Sequence, residues 1–312
     1  MNYSKSIKQI VILIMALVVV TACKKDEPEE VITDSAPVQQ LSTDDKNVVD
    51  NIDEVIIDVG LILSSNNLNL KISGTPCNAS IDTVISANDT MYYHLRYNGL
   101  NCVQSKHREG LVIMKMKEGS QWQLSGTTMK LEFHNYEITN VYSGRQITLN
   151  GNSTIENVSG GAIPLLGSTV TSLIYRNMAH LAVTFDNNTS SYWHLNKSIV
   201  FSGTPENLVM AVNGFGSVND YDKLLSWGKD RNGDDFYTQV NEWITFREKC
   251  NWVPFTGEEV YTIPEENLKA TVTFGFNSQN NPITGSECPT RYRLRWQQHG
   301  QSGTIFLPVA GK

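Results

Sequence analysis

The feature that most constrains this chain is a change of hydrophobic period. Past Asn66 the apolar residues recur at every second position, and they keep that period to the C-terminus. Arg291 to Trp296 alternates strictly, as does Thr271 to Phe274, and Met129, Leu131 and Phe133 alternate with Lys130, Glu132 and His134. A strand with one apolar and one polar face suits an antiparallel sheet with one solvated side, so no helices are expected between such strands. Turn residues divide the runs at Asn98-Gly99, Glu118-Gly119, Asn150-Gly151, Ser159-Gly160-Gly161, Asn213-Gly214, Asn232-Gly233 and Thr256-Gly257. The expected fold is all-β, an antiparallel sandwich or an extended curved sheet. Its β-rich halves cover 65–160 and 161–312, meet near 159–170, and are compatible with one domain.

Before Asn66 the period is helical. Val48, Val49, Ile52, Val55, Ile56, Val59, Ile62 and Leu63 recur at three and four, which predicts one short amphipathic helix over 41–64. Ser42 or Thr43 can cap its start, and Asp44 and Asp45 suit the positive end of its dipole. Its β-branched residues lower helix propensity, so it needs a surface to pack on, and its own β-domain is the nearest one.

The N-terminus reads as an address. Lys5 and Lys8 precede the uninterrupted apolar run Ile10 to Val20, and Val20-Thr21-Ala22 places small residues just before Cys23. The run is too short for a hydrocarbon core that needs roughly 20 residues, so 1–22 reads as a lipoprotein signal peptide and Cys23 as the lipidated first residue of the mature chain. Lys24-Lys25-Asp26-Glu27 resembles the lipoprotein export signal of Bacteroidota, which implies an outer-membrane, lipid-anchored protein displayed at the cell surface; the same residues also read as a charged, solvated tether. The whole of 23–40 is charged, proline-bearing and aperiodic, as a disordered tether would be. Each buried methylene of a lipid anchor contributes about 0.8 kcal/mol, so several acyl chains on Cys23 would hold the protein on the membrane.

Loss of residues 1–22 leaves 290 of the 312 residues and takes the formal net charge from -7 to -9, since Lys5 and Lys8 go with the leader. That acidity argues against nucleic acid and anionic lipid surfaces as partners, because both call for clustered Lys and Arg. The remaining cysteines, Cys77, Cys102, Cys250 and Cys288, form two sequence-local couples, and proximity favours the disulfides Cys77 to Cys102 and Cys250 to Cys288 among the three connectivities available. Each would constrain the unfolded chain by about 3–4 kcal/mol. A zinc site is the alternative, but neither CxxC spacing nor clustered histidine accompanies them.

Two sets of segments carry a family resemblance. One is Cys102, Arg108 to Ile113, Leu131 to Ile138 and Gly151 to Asn157; the other is Trp227-Gly228, Arg231-Asn232-Gly233, Cys250-Asn251-Trp252, Thr271 to Gly275 and Cys288-Pro289. Together they resemble a group of uncharacterised lipoproteins of Bacteroidota. The resemblance implies an all-β secreted lipoprotein with paired cysteines, and it carries over no catalytic or binding residue.

Candidate sites are few. Asp230, Asn232 and Asp234 have the one-three-five spacing of a calcium loop, with Asp220 and Asp222 as further ligands, but Gly233 stands at the fourth position and Asn241 at the twelfth. An Asn-Gly hairpin turn accounts for the same residues. Of the six tryptophans, Trp193 beside Tyr192 and His194, and Trp227 near the acidic turn, are expected to be exposed and able to stack on a sugar, whereas Trp252 and Trp296 are expected in the core. Arg291, Arg293 and Arg295 share a strand face that could clamp an anion or serve as a solvated row. The six histidines are scattered, though two on facing strands could still meet. Asp34-Ser35-Ala36 resembles an O-glycosylation acceptor. Nothing calls for a cofactor. The expected function is a non-enzymatic interaction or envelope scaffold module, anchored to the membrane through Cys23, with a surface protein or glycan as partner. A glycan-binding lipoprotein of a polysaccharide uptake system is second, and a hydrolase third.

Overall fold

The computed structural model describes residues 35–64 and 76–309. The leader, Cys23 and the tether up to Asp34 lie outside the described residues.

The helix α1 spans Ala36–Ser64 and so starts before the expected position 41. Pro37 sits in its first turn, where a missing N–H costs no hydrogen bond, and Val38 and Leu41 are already buried. Ser42 and Thr43 are therefore not caps. Ser42 is buried inside the helix, and the Thr43 hydroxyl donates back to the Gln39 carbonyl at 2.8 Å. Asp44 and Asp45, expected at the positive end of the helix dipole, are each only 1% exposed. Among the described residues no helix is long and apolar enough to cross a membrane.

The remainder is strand: β1 (Ala79–Ala87), β2 (Thr90–Leu100), β3 (Lys106–Lys117), β4 (Thr127–Asn140), β5 (Gln146–Asn157), β6 (Ser172–Phe185), β7 (Ser190–Thr204), β8 (Asn207–Gly214), β9 (Gly216–Val218), β10 (Tyr221–Lys229), β11 (Asp235–Arg247), β12 (Pro254–Ile263), β13 (Leu268–Phe276), β14 (Arg291–Gln298) and β15 (Gln301–Pro308). All belong to one antiparallel sheet in which sequence neighbours pair, with β1 and β15 at its ends. The exception lies between β7 and β11, where β8 and β10 share one strand's width end to end. β7 pairs with β10 through Trp193 to Leu195 and with β8 through Lys197 to Thr204. The segment near 159–170 is an internal connection, because β5 and β6 pair directly along Ile147 to Asn157. Ser35–Lys312 forms one compact unit.

The alternation read in the sequence sets the two faces. Met129, Leu131, Phe133, Val272, Tyr292 and Leu294 are buried, while Arg291, Arg293 and Arg295 face outward. On the outer side Arg293 lies 5.3 Å from the Phe276 ring and Arg295 reaches Glu258 at 3.9 Å.

The sheet is curved, and its inner face takes in α1. Tyr97 of β2, Arg108 of β3, Lys197 of β7, Ser226 of β10 and Thr238 of β11 all bond or ion-pair with the helix. The all-β, curved-sheet class with an N-terminal helix is thus the observed one, with the helix as the core. Three Asn-Gly or Thr-Gly pairs expected to separate strands instead lie within them: Gly99 in β2, Gly151 in β5 and Gly257 in β12. Curvature explains this. A Cβ on Gly151 (φ +129°) would stand 2.3 Å from the His180 carbonyl oxygen, and one on Gly110 (φ +117°) 2.3 Å from that of Asn135. Pairing register shifts beside both, between Phe133 and Tyr136 and between Glu109 and Leu111. Glycines at bulges let neighbouring strands close up where the sheet bends. Gly110→Ala is expected to cost about 1–3 kcal/mol in equilibrium urea unfolding, since it forces a side chain into left-handed backbone against a carbonyl. A value near zero would show that the bend does not depend on this contact.

Candidate ligand cleft

The helix presents charged and polar residues to the sheet, and the way they are paired defines the site. Asp45 accepts hydrogen bonds from Trp193 Nε1 (2.8 Å), Ser226 Oγ (2.6 Å) and Thr238 Oγ1 (3.0 Å). Burial raises its pKa and those donors pull it back. Asp44 pairs with Arg231, which also holds Asp186. Asp53 and Lys197, 4% and 0% exposed, pair at 2.5 Å.

One stripe of α1, residues 46, 47, 50, 53, 54, 57 and 58, is left facing a cleft of about 280 Å³. This is the spacing of a single helical face. Its four carboxylates are each held by a cation: Asp50 by Lys46 (2.7 Å), Glu54 by Lys106 (2.7 Å), Asp58 by Arg108 (2.8 Å) and Asp53 by Lys197. Burial pushes Asp58 up to about 6, with Arg108 opposing the shift. Asp53 Oδ2 and Arg108 Nε are buried without a hydrogen-bond partner, so the floor of the cleft is not fully satisfied by the described protein groups.

The walls are turns held in place by side-chain hydrogen bonds, by a disulfide, or by both. In the β2–β3 turn the Asn101 carboxamide oxygen accepts from the backbone N–H of Ser105 (2.9 Å) and Lys106 (3.1 Å). Cys102 in that turn is bonded to Cys77. The β4–β5 turn is built the same way, with Asn140 accepting from Tyr142 N (3.0 Å) and Ser143 N (2.9 Å), and Val141 N donates to Ser105 O to tie the two turns together. Tyr142 is left standing at the rim, 66% exposed. The segment Cys250 to Val253 lines the same cleft, and Cys250 is bonded to Cys288. Asn251 and Trp252 follow with φ of 55° and 57°. Left-handed backbone is uncommon for a bulky residue, and strain of this kind gathers at binding and catalytic sites. The expectation that Trp252 lies in the core is corrected accordingly: it is half-buried and lines the cleft.

The disulfides Cys77–Cys102 and Cys250–Cys288 are present as expected. The expected exposure of Trp193 is not observed. It is 0% exposed on the inner face of β7, against Phe236 at 4.3 Å and Phe185 at 5.8 Å. Its neighbours Tyr192 and His194 are the outward residues. Trp227 on β10 is half-buried on the outer side, nearly parallel to His194 with ring centres 5.3 Å apart, so each ring covers part of the other's face. Trp193 and Trp227 therefore lie on opposite faces and cannot make one platform. Two facing histidines do meet, His180 and His194, with Nδ1 atoms 2.7 Å apart. Burial, and then His180, lower the His194 pKa.

Asp230, Asn232 and Asp234 occupy the β10–β11 turn. Asp230 Oδ1 accepts from the backbone N–H of Asn232 (2.7 Å) and Asp234 (3.1 Å), the bonding of a self-capped hairpin turn. Asp222 accepts from Ser217 at 2.7 Å, outside that turn. Among the described residues no group of three or more His, Cys, Asp or Glu side chains could hold a metal ion.

Sequence reasoning missed Tyr142, Trp252 and the polar stripe of α1. The stripe was present as spacing, but the rim residues become neighbours only through the curvature of the sheet. No protein-family model, no curated protein and no solved structure matches the chain.

Proposed function

We propose that this chain is a non-enzymatic binding module, anchored in the outer membrane through lipidated Cys23, displayed at the cell surface, and engaging its ligand in the cleft along α1. One observation carries the reading: both disulfides brace the walls of the same cleft, so its shape is set before any ligand arrives, as binding sites generally are. The absence of an enzymatic role is supported by the ion pairs. A carboxylate held by Lys46, Lys106 or Lys197 is committed to that cation and is poorly placed to accept a proton from a reacting group.

The test is a thermal melt of the oxidised full-length protein against a panel of oligosaccharides, short peptides, nucleosides and inorganic anions, repeated with Ser105→Trp to fill the cleft. A ligand at 100 times its Kd stabilises by about 2.7 kcal/mol. The expected result is a shift from one class of compound that disappears in Ser105→Trp. A panel without effect on the unmodified protein, or a shift that survives the filled cleft, overturns the cleft as the binding site. Protease applied to intact cells tests display, and a protein cleaved only after lysis would rule it out.

A further inference from the structure

We infer that the cleft takes a neutral oligosaccharide, a conclusion that rests on the cleft being the binding site. Three features of its lining point to the same chemistry. The first is charge. Lys46, Lys106 and Arg108 face Asp50, Asp53, Glu54 and Asp58, and with Lys197 behind Asp53 each carboxylate has a cation of its own. An ionic ligand would have to break one of these pairs and leave a charge without its counterion in a half-buried site, at considerable cost. An uncharged ligand leaves every pair intact.

The second feature is the remaining polar lining: the Asn47 and Asn251 carboxamides and the Asn140 amide group, with the Ser105 hydroxyl, whereas Asn101 is committed to its own turn. A carboxamide presents two donors and an acceptor in one plane, and a hydroxyl both donates and accepts. Ligand hydroxyls match that mixture because each also does both, whereas an apolar ligand would strip these groups of water and return nothing.

The third feature is the pair of rings that line it, Tyr142 and Trp252. Tyr142 gains little from the fold at 66% exposure, yet the Asn140 carboxamide fixes its backbone. Trp252 is held in left-handed backbone next to a disulfide. Rings held ready in this way offer flat apolar faces to the C–H side of a sugar, while the floor receives its hydroxyls. A cleft of about 280 Å³ lies at the lower end of the size range of ligand pockets.

The experiment is isothermal titration of the full-length protein, in a detergent without a sugar headgroup, with neutral gluco-, manno-, xylo- and galacto-oligosaccharides and with a charged uronic-acid oligomer. The variants are Tyr142→Ala, Trp252→Phe and, on the outer face, Trp227→Ala. Tyr142 is exposed, so its removal leaves the fold intact. The expected result is binding of one neutral series, weakened at least tenfold by Tyr142→Ala, weakened less by Trp252→Phe, unchanged by Trp227→Ala, and changed less than about twofold by a tenfold rise in salt. Binding lost in Trp227→Ala but kept in Tyr142→Ala overturns the inference by placing the sugar on the outer face. A charged or peptide ligand that binds with strong salt dependence, and is excluded by Ser105→Trp, overturns the sugar class and leaves the cleft as binding site. Failure of every compound in both the titration and the melt overturns both.

Discussion

Replacing Lys197 with methionine is expected to lower the stability of this protein by about 3–5 kcal/mol, read from equilibrium denaturation with urea. Lys197 is 0% exposed and its ammonium lies 2.5 Å from Asp53 Oδ1. Without it, a carboxylate 4% exposed on the helix has no counterion. Either the charge stays buried at great cost or the group takes up a proton, and burial already raises the Asp53 pKa against the pull of Lys197. The double variant Lys197→Met with Asp53→Leu is expected to recover most of the loss, because removing both charges removes the desolvation penalty together with the attraction. A single variant that loses less than about 1 kcal/mol would mean that Asp53 is protonated in the native protein and needs no partner.

Stability is also expected to fall as pH rises from about 4.5 to about 8. Burial pushes the Glu259 carboxyl up from 4.5 to about 8, opposed by the hydrogen bond from Tyr261 and reinforced by Asp45. Between those values the folded protein keeps a proton that the unfolded chain has released. The native state binds more protons, so rising pH favours unfolding. At about 1.4 kcal/mol per pH unit the full effect is of order 5 kcal/mol. It is fully present below 4.5 and lost above about 8. Asp44, Asp45, Asp53 and Asp58 are shifted upward by burial as well and add to the slope in the same direction. Glu259→Gln is expected to flatten the profile and to raise the midpoint at pH 8. Urea midpoints taken across the range check this, and an unchanged slope in the variant would show that Glu259 is ionised throughout.

The fold was legible where one face of an element is uniformly apolar. Tyr292 and Leu294 between Arg291, Arg293 and Arg295 announced a strand with a wet side, and Val48 to Val59 announced a helix. What misled was polarity in buried positions. Asp44 and Asp45 looked like charges for a helix end because carboxylates rarely enter a core, and apart from Gln40 on the same helix the partners that make their burial tolerable, Arg231, Trp193, Ser226 and Thr238, are all far off in sequence. Lys197 had a similar effect on β7. The inward set is Trp193, Leu195, Lys197, Ile199 and Phe201, and the lysine in its middle hides the alternation that would have placed Trp193 inside. Asn-Gly pairs misled because glycine serves turns and bends alike, and a strongly curved sheet needs it at bends.

The cleft was less legible still. Its stripe on α1 is regular, but Tyr142 and Trp252 carry no local mark of function, and their turns converge only because the sheet carries β4 and β11 to the same side of the helix. The asparagines that shape the β2–β3 and β4–β5 turns, Asn101 and Asn140, were the available signal. Asparagine shapes many turns that bind nothing.

The long reach of Asp45 has a consequence for the order of assembly. Its partner Thr238 lies 193 residues further along the chain, whereas nearly every strand pairs with the one synthesised just before it. Hairpins can therefore accumulate one after another as the polypeptide emerges, while the helix, made first, waits for most of its surroundings. Long-range contacts of that kind are slow to form. During the wait the carboxylates that later end up indoors still face water, and they keep an otherwise greasy segment from sticking to its neighbours. The buried acids thus act before the native state exists: the charge that burdens the finished core protects the nascent chain.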